Sequence, residues 1–229
     1  MLSIVDLIEA GTLTATQAAW LLLRVLQGSS WLVGARPGGA GKTTVMSALL
    51  AMVPRGSRIW LTNRGSGWQT CAPGDCIVSY ELSPGFYDAY IWGSDVVRMT
   101  ELGLAGRRIV SNLHADTLRQ AREQIVEECG ATEEGFRAFQ LFIPLVVEGS
   151  GFSRSPVVEW IDYVGDGRWL RWRRGDEVQP DEDRRGASRL LSRIADFLAA
   201  CRAGDQRLIE DVREAWIGWY SSTTIYREP

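Results

Sequence analysis

Lysine and histidine are almost absent from this chain. Of its 25 basic residues only Lys42 is a lysine, and His114 is the single histidine. Metal sites built on clustered imidazoles are therefore excluded. Where arginine is used everywhere else, the one lysine marks a position that arginine does not fill. Cysteine is also scarce. Cys71 and Cys76 flank Ala-Pro-Gly-Asp, while Cys129 and Cys201 stand apart, so neither zinc-finger nor C-x-x-C redox spacing is present. Free thiols in a reducing compartment are the default, and a cytoplasmic location is expected. Long apolar runs are missing too: Trp20–Leu23 is broken at once by Arg24, which rules out a membrane-spanning helix of the usual length. Charge of one sign is not in excess, with a formal net of -3, which argues against wholesale coating of nucleic acid. With 45% hydrophobic and 23% charged residues over 229 positions, the chain can bury a core unaided.

Turn residues and apolar periodicity divide the chain. Helices are expected over 4–10 and 15–27, the second capped by Thr14, and over 43–52, 95–104, 116–129 and 133–139. Strands are expected over 31–33, 58–62, 76–82, 89–92, 108–113 and 141–147. Two further strands, 157–164 and 168–173, are joined by a Gly165-Asp166-Gly167 turn. After a charged linker over 180–186, helices follow over 187–203 and 205–220. Strands alternating with helices predict an α/β fold with a mostly parallel sheet, a C-terminal β-hairpin and two C-terminal helices. The expected division is a nucleotide-binding domain over 1–179 and a helical appendage over 187–229.

The strongest signal is an apolar strand, Trp31-Leu32-Val33, running into a glycine-rich loop that ends Gly38-Gly39-Ala40-Gly41-Lys42-Thr43-Thr44. Such a loop turns backbone N–H groups around a phosphate, and the following helix N-terminus adds partial positive charge. Lys42 would reach the β- and γ-phosphates, and the Thr43 hydroxyl would be a Mg²⁺ ligand. The sole lysine falls on the motif's critical position. One departure is Arg36, which stands six residues before Lys42 where the pattern has glycine.

A second stretch adds specificity. Residues 105–116, Ala-Gly-Arg-Arg-Ile-Val-Ser-Asn-Leu-His-Ala-Asp, resemble the His box of the secretion-superfamily ATPases, the hexameric motors of type II and type IV secretion, type IV pili and conjugation. Residues 88–93 are similar to that family's Walker B strand. The resemblance covers about Leu13 to Val164 and implies a RecA-like P-loop core that binds ATP with Mg²⁺. It also implies that His114 senses the γ-phosphate or a neighbouring subunit. The acidic motifs depart from the pattern: Ser94 falls where the Walker B Glu stands, Asn63-Arg64 where an acidic pair stands, and Arg107 where the first His stands.

A carboxylate near the γ-phosphate normally polarises the attacking water. Asp95, one residue past Ser94, is the expected substitute. Glu81 and Asp88 rank behind it, Asp88 because it lies at the wrong end of its strand. Ser111 or Asn112 is a candidate for orienting water. Arg98, Arg107 and Arg108 are candidates for a phosphate contact across a subunit interface. Trp169–Arg174 mixes aromatics with Arg, as single-strand platforms do, though alternation on a hairpin explains it equally well. The functional expectation is an ATPase or motor-like subunit of a secretion, pilus or DNA-transfer apparatus, with weak or partner-dependent hydrolysis. Its expected partners are nucleotide, a weakly associating second copy, or the apparatus itself. Two alternatives stand beside it: a degenerate nucleotide-binding regulatory or assembly subunit, and a P-loop small-molecule kinase, against which the His box argues.

Overall fold

A computed structural model describes residues 1–85, 87–149, 155–177 and 186–222. The expected linker over 180–186 falls almost wholly outside these residues.

Two short helices lead the chain. Helix α1 (Ile4–Glu9) and helix α2 (Ala15–Leu26) each begin at a capping box, Ser3 with Asp6 and Thr14 with Gln17. Reciprocal side-chain bonds there satisfy donors that the first helical turn leaves open. Strand β1 (Trp31–Gly34) and helix α3 (Lys42–Leu50) flank the glycine loop. Strands β2 (Ile59–Leu61), β3 (Cys76–Val78), β4 (Glu81–Leu82) and β5 (Tyr90–Ile91) come next, followed by helix α4 (Ser94–Leu104) and strand β6 (Arg108–Leu113). Helix α5 (Leu118–Arg122) runs into a π-helical turn over Glu123–Glu128. Then come α6 (Glu133–Arg137), β7 (Leu141–Pro144), β8 (Val146–Glu148), β9 (Ser155–Val157), β10 (Trp160–Gly165) and β11 (Arg168–Arg173). Helices α7 (Ala187–Ala203) and α8 (Ile209–Ser222) close the described chain.

The central sheet runs β11-β10-β7-β1-β6-β3-β2. Pairing is parallel from β7 through β2, and β10 and β11 add an antiparallel hairpin at one edge. The fold is therefore mixed α/β around a largely parallel sheet. Side-chain alternation explains why helices cover both faces. Trp31, Val33, Cys76, Val78 and Val110 face a core built with α1, α2, α3, α7 and α8. Leu32, Ile77, Ile109 and Leu113 face a second core with α4, α5 and α6.

Several expected elements break where the backbone changes partner. The strand expected over 76–82 splits at Ser79 and Tyr80. Ser79 still donates to Val110 O, but Tyr80 donates to Ala89 O, and β4 goes on to pair with β5. The strand expected over 157–164 splits because β9 leaves the main sheet to pair with β8, while Val158 donates to Thr12 O. The helix expected from residue 116 starts two residues later because Thr117 caps it.

The C-terminal helices share the first core instead of standing apart from it. Leu190, Ile194 and Phe197 of α7 and Trp216 of α8 are buried in the cluster that holds α2 and α3. Trp216 Nε1 donates to Met52 O at 2.7 Å, and Arg213 donates to Val53 O at 3.2 Å, so α8 closes the end of α3. At the start of β6, Arg108 is buried and donates to Val25 O, in the last turn of α2, and to Ser29 O just beyond that helix.

Candidate functional site

The glycine loop sits at the C-terminal edge of the parallel strands, where such sheets place ligands. Gly34 is required by close approach: a Cβ there would lie 2.3 Å from Ala115 O and 2.6 Å from the Phe142 ring. The loop's curvature comes from Gly39 and Gly41, at φ +72° and +86°. Alternating left-handed residues turn successive N–H groups to one side, which makes a concave anion seat. Gly41 is also the N-cap of α3 and carries no side-chain cap, so the first N–H groups of that helix stay open to a ligand. Arg36, the departure from the loop pattern, is held by its own backbone: its N–H donates to Asp116 Oδ1 at 2.7 Å.

Three side chains meet at the mouth of the loop. Lys42 Nζ and His114 Nε2 each lie 3.1 Å from Glu81 Oε1. Lys42 also donates to Ala35 O at 3.1 Å. His114 Nδ1 lies 3.2 Å from Arg36 O, so one ring nitrogen faces a carbonyl and the other a carboxylate. The Lys42 and Glu81 side chains are each only 10% exposed, against 46% for His114, so the lysine–glutamate pair is the desolvated part of the cluster. Asn112, at the end of β6, donates to Tyr80 O at 2.8 Å and to Thr43 Oγ1 at 3.3 Å. Its Oδ1 is buried without a partner among the described residues. Gln120 and Gln124 fix the loop after β6, bonding Asp116 N and His114 O at 2.8 and 2.9 Å. Gln124 lies in the π-helical turn, a local form often retained at functional sites.

This cluster opens into a cleft of about 610 Å³ lined by the loop, Glu81, Tyr90, Asn112 and His114. The expected residues Gly38, Gly39, Ala40, Gly41, Lys42, Thr43, Thr44 and His114 are thus brought together. Asp95 is not. It lies exposed in the first turn of α4, on a separate cleft with Asn63, Arg64 and Trp92. The strand expected to carry the acidic motif, β5, is two residues long and, among the described residues, pairs only with β4. The strand next to β6 is β3, continued as β4, and that line carries Glu81. Sequence reasoning ranked Glu81 low. The available signal was its place at the end of the apolar run Cys76-Ile77-Val78.

Other candidates lie elsewhere. Arg108 begins β6 while His114 follows its end, a separation of about 17 Å along the strand. Arg107 donates to Cys71 O and Ala105 O, and Arg98 pairs with Glu101. Ser111 is fully buried and donates to Asn112 O. In β11, Trp169 packs on Phe136, Trp172 on Trp20, and Arg171 pairs with Asp162, so hairpin alternation accounts for that stretch. A second cleft of about 460 Å³, under Gly28 and Gly103, is lined by Arg107 and by the Arg137–Glu134 pair.

The donors at the loop suit a hard cation. Thr43 Oγ1 at the start of α3 and the unpartnered Asn112 Oδ1 near the end of β6 are neutral oxygens, and Mg²⁺ in such sites keeps waters and phosphate oxygens as its other ligands. Among the described residues, no group of three His, Cys, Asp or Glu side chains forms a metal site without a ligand's help. No helix among them is long and apolar enough to cross a membrane.

The fold and loop define a mixed α/β chain with a phosphate-binding-type loop at the edge of a largely parallel sheet. No protein-family profile matches this chain, and no curated protein is similar to it at a significant level. Among solved structures it is similar to the VirB11 ATPase of the Brucella suis type IV secretion system, crystallised with sulphate. The TM-score is 0.45 and the identity 15%, over 74% of this chain and 54% of that one. The chain thus spans about half the length of that protein.

Proposed function

We propose that this chain is a RecA-like P-loop protein that binds ATP with Mg²⁺ and hydrolyses it weakly or with a partner's help. The observation that carries the reading is the Lys42–Glu81–His114 cluster at the open N-terminus of α3. The strand order supports it. The loop-bearing β1 lies between β7 and β6, and β3–β4 follows β6, so Asn112 and Glu81 both end beside the loop.

The loop N–H groups from Gly38 to Thr44 would hold the β- and γ-phosphates. Lys42 would leave Glu81 for those oxygens, since a phosphate carries more negative charge than one carboxylate. Glu81, released, would accept a proton from a water attacking the γ-phosphorus, while the bond to the β,γ-bridging oxygen breaks. His114 would stabilise charge on the transferring group, and Asn112 would orient water. Mg²⁺, held by Thr43 and phosphate oxygens, supplies charge neutralisation when bound. The resemblance at residues 105–116 points to a secretion, pilus or DNA-transfer apparatus as the setting. The same pairing of Lys42 with Glu81 also favours a slow or regulated nucleotide switch, because the lysine must first be displaced.

Binding is tested by thermal unfolding. Mg²⁺-ATP at about a hundred times its Kd should stabilise the protein by about 2.7 kcal/mol. Lys42→Ala should abolish the shift. A shift that survives in the variant would remove the phosphate-loop reading.

A further inference from the structure

We propose that Tyr90 is a positioning residue for Glu81, its hydroxyl holding the carboxyl at the mouth of the loop when Lys42 turns to phosphate. This rests on the reading of Glu81 given above. Among the described residues, strand β5 pairs with β4 and with no other strand, and the register sets Tyr90 directly beside Glu81. Neighbours in register on parallel strands point to the same face, so the phenol and the carboxyl project together. Both line the loop cleft. The Tyr90 ring is braced by Tyr87, with centroids 5.2 Å apart. Burial, and then the charge of the nearby Glu81 carboxylate, push the Tyr90 hydroxyl above its ordinary range, so it keeps its proton and can act as a donor.

The need for such a donor follows from the cluster. The present neighbours of Glu81, Lys42 and His114, both meet Oε1. When Lys42 moves to phosphate, the buried carboxylate loses its best-desolvated partner. The remaining neighbour is the half-exposed His114 ring. A neutral donor on the adjacent strand does not compete for phosphate and stays in place through the exchange.

Tyr90→Phe removes the hydroxyl and keeps the ring. Turnover of Mg²⁺-ATP should fall about five-fold with KM within about two-fold, the scale of one hydrogen bond. With a saturating non-hydrolysable ATP analogue, Tyr90→Phe should lower Tm by about 3 °C in the wild-type background. The same change in a Glu81→Gln background should lower it by less than half as much, because coupled groups are not additive. A ring that merely packs would give equal shifts in both backgrounds. Equal shifts, or a Tyr90→Phe kcat within two-fold of wild type in a protein whose turnover Glu81→Gln abolishes, overturn the proposal. Full turnover in Glu81→Gln would instead overturn the role given to Glu81. The Tm cycle would still decide whether Tyr90 holds that side chain.

Discussion

Replacing Glu81 by Gln separates two roles that the same carboxyl plays, because it should move affinity and turnover in opposite directions. In the free protein Glu81 holds Lys42 at 3.1 Å, with both side chains about nine-tenths buried. At an effective dielectric near 20, unit charges at that distance attract with about 5 kcal/mol. Desolvation of both ions offsets most of this, so the net hold is far smaller. Gln keeps the volume and some hydrogen bonding but removes the charge. Lys42 is then left buried and unpaired until phosphate arrives. If about 1.4 kcal/mol of the hold is lost from the free state only, Mg²⁺-ATP should bind about ten-fold more tightly. Turnover should fall about a hundred-fold, since the group that takes the water's proton is gone. Calorimetry with a non-hydrolysable analogue reads the first effect, and phosphate release the second. Weaker binding in Glu81→Gln would refute the idea that Glu81 restrains Lys42. Undiminished phosphate release would refute its part in hydrolysis.

Two further outcomes test the surroundings. Asp95→Asn should leave Mg²⁺-ATP affinity and turnover within about two-fold, because Asp95 lies on a different cleft; a hundred-fold loss of turnover would return the chemistry to α4. Burial, partly offset by nearby Arg108, pushes the Cys76 thiol up to about 12. The folded state thus retains a proton that the unfolded chain releases near pH 9, so stability is fully present below that pH and is lost as pH rises toward 12. Unfolding free energies from urea titrations between pH 8 and 10.5 should fall with a slope of up to about 1.4 kcal/mol per pH unit above pH 9, and Cys76→Ala should flatten that limb. An unchanged slope in the variant would assign the alkaline loss to other groups.

Much of the architecture was legible because local signals and tertiary needs agree. Thr14 caps α2 as its spacing predicts, and the Gly165-Asp166-Gly167 turn joins β10 to β11. Apolar runs such as Trp31–Val33 and Ile109-Val110 became buried central strands. The sequence reading failed where the backbone changes partner, as at Ser79 and Val158, since hydrogen-bond exchange between distant strands leaves no periodic trace. It also set the last two helices apart as an appendage. A charged linker suggests separation, yet the apolar stripe of α7 meets α2 across the whole length of the intervening chain.

The site shows the same division more sharply. The glycine loop could be read because its chemistry is contiguous: seven neighbouring residues supply glycines, lysine and hydroxyl. Its carboxylate could not be read that way. Glu81 and Asp95 lie within one short segment, and distance from Lys42 along the chain does not rank them. What ranks them is sheet order. Because β3–β4 lies beside β6, a residue at its end arrives near the loop, while α4 starts one connection later and places its first acid on the cleft that Asn63 and Arg64 also line. A side chain at the end of an apolar strand therefore outranks one at a helix start whenever the strand is next to the one ending in Asn112 and His114. That criterion needs the strand order alone, and it selects Glu81 without appeal to any motif.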